Sequence, residues 1–196
     1  SGLDPNKAAK VDFDLSSSMF DNFEVQEQEI LKVNLSDLKS ILRRCKPTEI
    51  LKMETDDAKL ILSFTGKSTR TFTMPLLEND QEAPKTPNLS FKYVVETTTE
   101  KISDCIEDAA IVSDALTLFG EQNKICVKAE GDLNKVFIEI PEDDSTTINT
   151  QETEPVIAKY SISYMKKLIA GSKLVQNVKL EYSKTYPLKM SFIGEG

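Results

Sequence analysis

The sequence predicts an α+β fold in which short helices cover one face of antiparallel sheets. Three observations carry that expectation. A unit of extended segment, short helix, strand, turn and strand recurs at a spacing of roughly 60–65 residues. The strand candidates alternate apolar and polar residues, whereas the helix candidates place apolar residues three and four apart. The composition, 39% hydrophobic and 29% charged over 196 residues, is that of one large domain or two small ones.

In the first full copy, residues 29–33 (Glu-Ile-Leu-Lys-Val) read as a strand. Residues 36–45 follow as a helix with Leu35, Leu38, Ile41 and Leu42 at helical spacing; Asn34 or Ser36 supplies the N-cap and Pro47 follows the stop. Strands at 49–54 and 59–64 are joined by an Asp56-Asp57 turn, and 70–76 alternates through Phe72, Met74 and Leu76. The second copy opens at 90–95. Thr99 and Glu100 lead into a helix with Ile102, Cys105, Ile106 and Ala109 on one face, and strands at 115–119, 124–129 and 136–140 complete it. The third has a strand at 156–162, a helix over 163–172 carrying Met165, Leu168 and Ile169, and strands at 177–182 and 188–192. Alternation from Ala9 to Leu15, followed by Phe20 and Phe23, is expected to be the tail of an earlier copy.

Residues 78–88, acidic and Pro-containing without periodicity, read as an exposed linker. The polar stretch from Pro141 to Glu154 is expected to be a mobile surface loop.

Composition removes several functions. The chain has no His, the commonest general base and metal ligand. It carries no Gly-rich phosphate loop, and its acidic pairs Asp56-Asp57 and Asp143-Asp144 fall in expected turns, where Asp serves the backbone. An enzyme is therefore not expected, nor a cofactor, nor a metal. Cys45, Cys105 and Cys126 are widely spaced and odd in number, which suits reduced, buried thiols in a reducing compartment. No apolar run approaches the ~20 residues that span a bilayer, so no membrane partner and a cytoplasmic location are expected. A net charge of −8 argues against a simple nucleic-acid binder, though not against a protein that segregates its charge.

The ordered set Leu3-Asp4-Pro5-Asn6-Lys7-Ala8, Val33-Asn34-Leu35 with Ile41-Leu42-Arg43, Arg70-Thr71-Phe72-Thr73-Met74-Pro75-Leu76, Lys128-Ala129-Glu130-Gly131-Asp132-Leu133, Glu154-Pro155-Val156 and Pro187-Leu188 spans nearly the whole chain. In that order and at that spacing it resembles the DNA sliding clamps of the proliferating cell nuclear antigen family, archaeal members most closely. No single stretch is specific; the set together with the repeat is. The resemblance implies a DNA-clamp fold: two similar domains of antiparallel sheets, helices lining a hole, and a trimeric ring. By alignment, residues 1–77 would be the N-terminal clamp domain without its opening strand and helix. Residues 78–88 would be the interdomain connector, and 89–196 the C-terminal clamp domain without its last strand.

The resemblance also implies sites. Lys39, Arg43 and Arg44 on the first helix, and Lys166, Lys167 and Lys173 on or after the third, would face DNA and present a salt-screened phosphate field. Their bland alternative is a solvated helix face. Asp104, Glu107 and Asp108 on the second helix stand where many clamps carry basic groups, which leaves a ring of different subunits open. Leu3, Lys7, Ala8, Leu77, Ala83, Thr86, Pro87, Pro187 and Leu188 match the pocket that accepts a partner motif through an aromatic plug; plain core packing is the alternative for Leu3 and Leu188. Arg70, Phe72, Met74 and Leu76 on one edge, and Leu133, Val136 and Ile138 on the other, match the subunit interface, where unpaired strand edges would close the ring. The alternative is that each is a strand of its own sheet.

The function so implied is that of a DNA polymerase sliding clamp. It would encircle duplex DNA, assemble as a homo- or heterotrimer, and recruit DNA polymerase, clamp loader, flap endonuclease and DNA ligase, nucleoid-associated if archaeal. The charge of −8 and the acidic second helix motivate an alternative, a clamp-fold protein–protein adaptor that does not encircle DNA by itself.

Overall fold

The computed structural model describes residues 1–4, 6, 8–25, 27, 29–78 and 89–194. The chain divides into two compact units, one of Phe20–Thr86 and one of Ser1–Met19 with Pro87–Gly196. In the second of these a small hairpin pairs β1 (Gly2–Leu3) with β2 (Lys10–Val11). The expected alternation over 9–15 yields only that short strand. Val11, Phe13 and Leu15 are exposed, with no sheet face among the described residues beneath them to reward the pattern.

The Phe20–Thr86 unit holds α1 (Leu35–Leu42) and a three-stranded sheet of β3 (Ile50–Asp56), β4 (Lys59–Thr65) and β5 (Thr69–Pro75). Asn34 caps α1: its Oδ1 accepts from Ser36 N at 2.9 Å and Asp37 N at 3.3 Å. The helix stops at Leu42, three residues short of the expected end, as Arg44 and Cys45 N–H turn to three-residue bonds with Ile41 and Leu42 carbonyls. The β3–β4 turn is tight, with Asp57 at φ 49°, a left-handed geometry that Asp tolerates. Leu60, Leu62 and Met74 form the core, joined by Val33, Leu38, Ile41 and Leu76. The strand expected over 29–33 does not form. Lys32 O accepts one bond from Leu77 N at 2.8 Å, but no neighbouring strand extends it into a ladder among the described residues.

The larger unit continues with β6 (Tyr93–Thr98), α2 (Thr99–Val112), β7 (Ala115–Gly120), β8 (Lys124–Glu130), β9 (Lys135–Pro141), β10 (Thr147–Thr150), β11 (Val156–Ser161), α3 (Ile162–Leu168), β12 (Asn177–Tyr182) and β13 (Lys189–Ser191). A 3-10 turn over Ile169–Lys173 finishes the helix expected to run to 172. Two four-stranded antiparallel sheets result, ordered β10-β6-β12-β13 and β11-β7-β8-β9. Val95, Leu118, Val127 and Leu180 from the sheets meet Ile102, Ile106, Ala109 and Met165 from the helices in one buried core. Burying each Val, Leu, Ile or Met among them contributes about 1.5–3 kcal/mol.

The stretch 141–154, expected to be a loop, contains β10. Thr147–Thr150 pairs with Tyr93–Glu96, and Thr146 is fully buried with its Oγ1 2.8 Å from Thr97 Oγ1. A short Thr-rich run carries little strand signal by itself; the open side of β6 completes it.

Candidate DNA-facing helices, strand edges and partner turn

Each helix turns an apolar stripe to its own sheet and leaves the other face to solvent. On α1, Leu38 and Ile41 go to the core, and Lys39, Arg43 and Arg44 are exposed. Leu35, Leu38, Lys39, Leu42 and Arg43 line an open, mostly apolar hollow. Arg43 sits at the C-cap, where a cation suits the negative end of the helix dipole. On α3, Ile162 and Met165 are buried, while Lys166, Lys167 and, after the 3-10 turn, Lys173 are exposed. The Lys167 ammonium lies 5.4 Å from the centroid of the Tyr164 ring, and Tyr164 Oη donates to Asp4 Oδ2 at 3.0 Å.

Helix α2 departs in charge. Thr98 Oγ1 caps it through Lys101 N, and Ile102, Cys105, Ile106 and Ala109 face the core. Its solvent face carries Glu100, Asp104, Glu107, Asp108 and an 80% exposed Ile111. Lys101, the basic residue of this helix, is turned aside: Nζ donates to Asp143 Oδ2 at 2.8 Å, Ser145 Oγ at 2.8 Å and Thr146 Oγ1 at 3.0 Å. The hydrogen bond from Lys101, followed by those from Ser145, holds the Asp143 carboxyl far below the usual carboxylate range. Sequence reasoning named the acids of α2 but missed this capture, which needs the 141–146 turn folded back on the helix.

The two expected edges are both sheet edges. Strand β5 ends the order β3-β4-β5 and β9 ends β11-β7-β8-β9. They are counterparts: seven residues each, identical in burial pattern, and closed by Pro75 and Pro141. A residue without an N–H is tolerated in a ladder where one side is open. Their inner partners match too, since β8 starts at Lys124, 65 residues after Lys59 of β4. Among the expected interface residues, Met74 is buried and Leu76 packs on the same core. Phe72 lies against Phe64 with ring centroids 5.5 Å apart, and Arg70 donates to Glu49 Oε2 at 2.6 Å and Arg44 O at 3.1 Å. Val136 and Ile138 lean on the core of the larger unit, whereas Leu133 is 94% exposed in the turn before β9. What β5 and β9 offer outward is main chain together with Thr71, Thr73, Phe137 and Glu139.

The residues expected to line a partner pocket are only partly among those described. Lys7, Ala83, Thr86 and Pro87 lie outside the described residues. Leu3 is 40% exposed in β1, Ala8 is exposed in the turn that follows it, and Leu77 is 55% exposed in the other unit. Pro187 is exposed; Leu188 is half-buried against the core. Asp4 shapes the 4–9 turn, accepting from Ala9 N at 2.7 Å and Asn6 N at 3.3 Å while its own N–H donates to Ala9 O at 2.9 Å. Sequence reasoning quoted Asp4 within the family stretch but gave it no role, although an Asp opening a turn is a recognised signal.

Among the described residues, no group of three or more His, Cys, Asp or Glu could hold a metal ion. No described helix is long and apolar enough to cross a membrane.

Helix-faced antiparallel sheets repeated along one chain, with two matching open edges and cation-bearing helix faces, define a protein of clamp-type α+β architecture. Comparison places it more narrowly. Residues 1–82 match the family model "Proliferating cell nuclear antigen, N-terminal domain" and residues 85–195 match the C-terminal domain of the same family. The DNA polymerase sliding clamp of Thermococcus onnurineus is 30% identical over 191 residues, 97% of this chain and 77% of that protein. DNA polymerase sliding clamp 2 of Saccharolobus solfataricus is 29% identical over 193 residues, 98% of this chain and 78% of that protein. The crystal structure of PCNA from Thermococcus kodakaraensis shares the fold, with a TM-score of 0.86 at 19% identity, covering 98% of this chain and 79% of that one. The chain belongs to the proliferating cell nuclear antigen family.

Proposed function

We propose that this chain is a subunit of a DNA polymerase sliding clamp, a non-catalytic processivity factor that closes into a three-subunit ring around duplex DNA. The observation that carries the reading is the matched pair of open edges, β5 and β9, in a chain of this family. Edge strands left open invite pairing, and a closed ring satisfies them without running on into a filament. The reading keeps an N-terminal domain of 1–77, a connector of 78–88 and a C-terminal domain of 89–196; the two family models meet inside that connector, between 82 and 85.

In this reading Lys39, Arg43, Arg44, Lys166, Lys167 and Lys173 supply a non-specific field for phosphates. Weak attraction suits sliding, since tight binding to each phosphate would oppose diffusion along the duplex. The residues that the resemblance assigns to the partner pocket, Leu3, Lys7, Ala8, Leu77, Ala83, Thr86, Pro87, Pro187 and Leu188, would take the aromatic plug of polymerase, clamp loader, flap endonuclease or ligase in the cytoplasm or nucleoid. The acidic face of α2 favours a ring in which sister subunits of different sequence provide the remaining cations. It is also the observation behind an adaptor that does not encircle DNA by itself.

The test is the mass in solution by light scattering, alone and with sister subunits, followed by loading onto nicked circular DNA. A three-subunit species retained on circles and lost from linear DNA is expected. Monomer under every mixture would overturn the clamp reading in favour of the adaptor.

A further inference from the structure

Two features of the larger unit meet at one carboxylate. Asp4 organises the 4–9 turn through Ala9 N and Asn6 N, and the same side chain accepts from Tyr164 Oη at 3.0 Å. Tyr164 is half-buried near the start of α3, and the ammonium of Lys167, one turn further on, stands 5.4 Å from its ring centroid. Donation of the phenol proton to a carboxylate enriches the ring in electrons, which favours a cation over its face. Anchoring the phenol also holds the ring still, so the flexible lysine has a fixed surface to rest on.

We propose that Asp4 and Tyr164 are positioning residues for Lys167, so that a cation of the DNA-facing helix is set by the carboxylate that shapes the candidate partner turn. The inference rests on the clamp reading for the role of Lys167, but the tie itself is a property of this chain. The carboxylate touches no phosphate; it acts through the phenol, and the phenol acts through its ring. A peptide that docked beside the 4–9 turn and moved Asp4 would thereby alter how Lys167 meets DNA.

Two readouts on the full chain, assembled as it is found in solution, separate the tie from the DNA reading. The first is the NMR shift of the Lys167 ε-protons, which the Tyr164 ring moves upfield. Tyr164→Phe and Asp4→Ala are each expected to reduce that displacement although both keep an aromatic ring, and Tyr164→Leu to abolish it. An unchanged displacement in Tyr164→Phe and Asp4→Ala would overturn the proposal. The second is the salt dependence of duplex binding, whose log–log slope falls by about 0.9 for each phosphate that is no longer neutralised. Lys167→Ala is expected to lower the slope by one phosphate's worth, Tyr164→Leu by nearly as much, and the combined variant by no more than Lys167→Ala alone. Full additivity of the two would overturn the positioning role. If Lys167→Ala leaves the slope unchanged, the DNA-facing role of Lys167 fails and its positioning for DNA fails with it; the proton shifts then decide the tie alone.

Discussion

The Lys101 ammonium lies 2.8 Å from the Asp143 carboxylate, and this pair fastens the turn before β10 to the first turn of α2. It withdraws the basic residue of α2 from that helix's solvent face, leaving the face acidic. It also places Thr146 where its hydroxyl meets Thr97 within the core. Ser145 N and Oγ complete the carboxylate's shell at 2.9 and 2.8 Å.

The pair makes stability sensitive to acid. The folded-state value of Asp143 lies below the unfolded one, chiefly because Lys101 donates to it. Its contribution is therefore present above about pH 4, the ordinary Asp value, and is lost as pH falls through the folded value. Asp143→Asn is expected to lower stability at neutral pH and to flatten the acid limb relative to the parent. Denaturant titrations at stepped pH check this; parallel acid limbs in the two proteins would refute it.

Gly120 leaves no room for a side chain. A Cβ there would lie 2.6 Å from Tyr182 Oη and 2.5 Å from Tyr93 Cε2. Those rings pack 5.1 Å apart, and Tyr93 Oη donates to Lys124 O at 2.9 Å. Gly120→Ala should destabilise by about 1–3 kcal/mol, the usual cost of overpacking. Chemical denaturation followed by tyrosine fluorescence measures it.

Thiol reactivity should divide by burial. Cys105 and Cys126 are buried, and Cys45 is half-exposed. Burial, with Asp108 and Asp104 nearby, pushes the Cys105 thiol up to about 11, leaving little of the reactive thiolate at neutral pH. Alkylation of native protein, read by mass spectrometry, should modify Cys45 first and reach Cys105 only on unfolding.

Helix α1 depends on its cap. Asn34→Ala removes the acceptor for Ser36 N and Asp37 N and should cost about 1 kcal/mol, whereas Asn34→Gly should cost only a few tenths. Equal losses in the two variants would deny the side chain its capping role.

The edge of β9 separates assembly from folding. Phe137 is 59% exposed on that edge strand, so Phe137→Glu should leave the thermal midpoint of the monomer almost unchanged. In the ring reading the same change weakens association several-fold, measured by sedimentation against concentration. Equal association in parent and variant would count against β9 as a subunit edge.

Periodicity alone located α1, α2, α3 and most strands to within a few residues, because each buries one stripe or face and the pattern repeats. Where it failed, the missing information lay elsewhere in the chain. Residues 29–33 have strand-like composition, yet a strand exists only within a ladder, and the bond from Leu77 N to Lys32 O does not bring them into any sheet of the described residues. Thr147–Thr150 has weak composition, yet β6 offered an open side and Lys101 secured the approach. Met74 stood out as an edge residue, and its side chain is buried beneath that edge, since alternate residues of an edge strand still face the sheet's own core.

The sequence by itself determined the α+β class, the repeat, the cap at Asn34, the absence of His, and the residues that ally the chain with its family. Each of these is local, or is a count, or is a period. The tertiary structure decided which charges stay available: Lys101 is taken by Asp143, Arg70 by Glu49, and Lys167 rests on a tyrosine held by Asp4. The hydrogen bonds behind these pairings join residues from 21 to 160 positions apart. Spacing along the chain carries no record of them, because the fold alone brings such groups within a few ångströms, where charge and hydrogen bonding act.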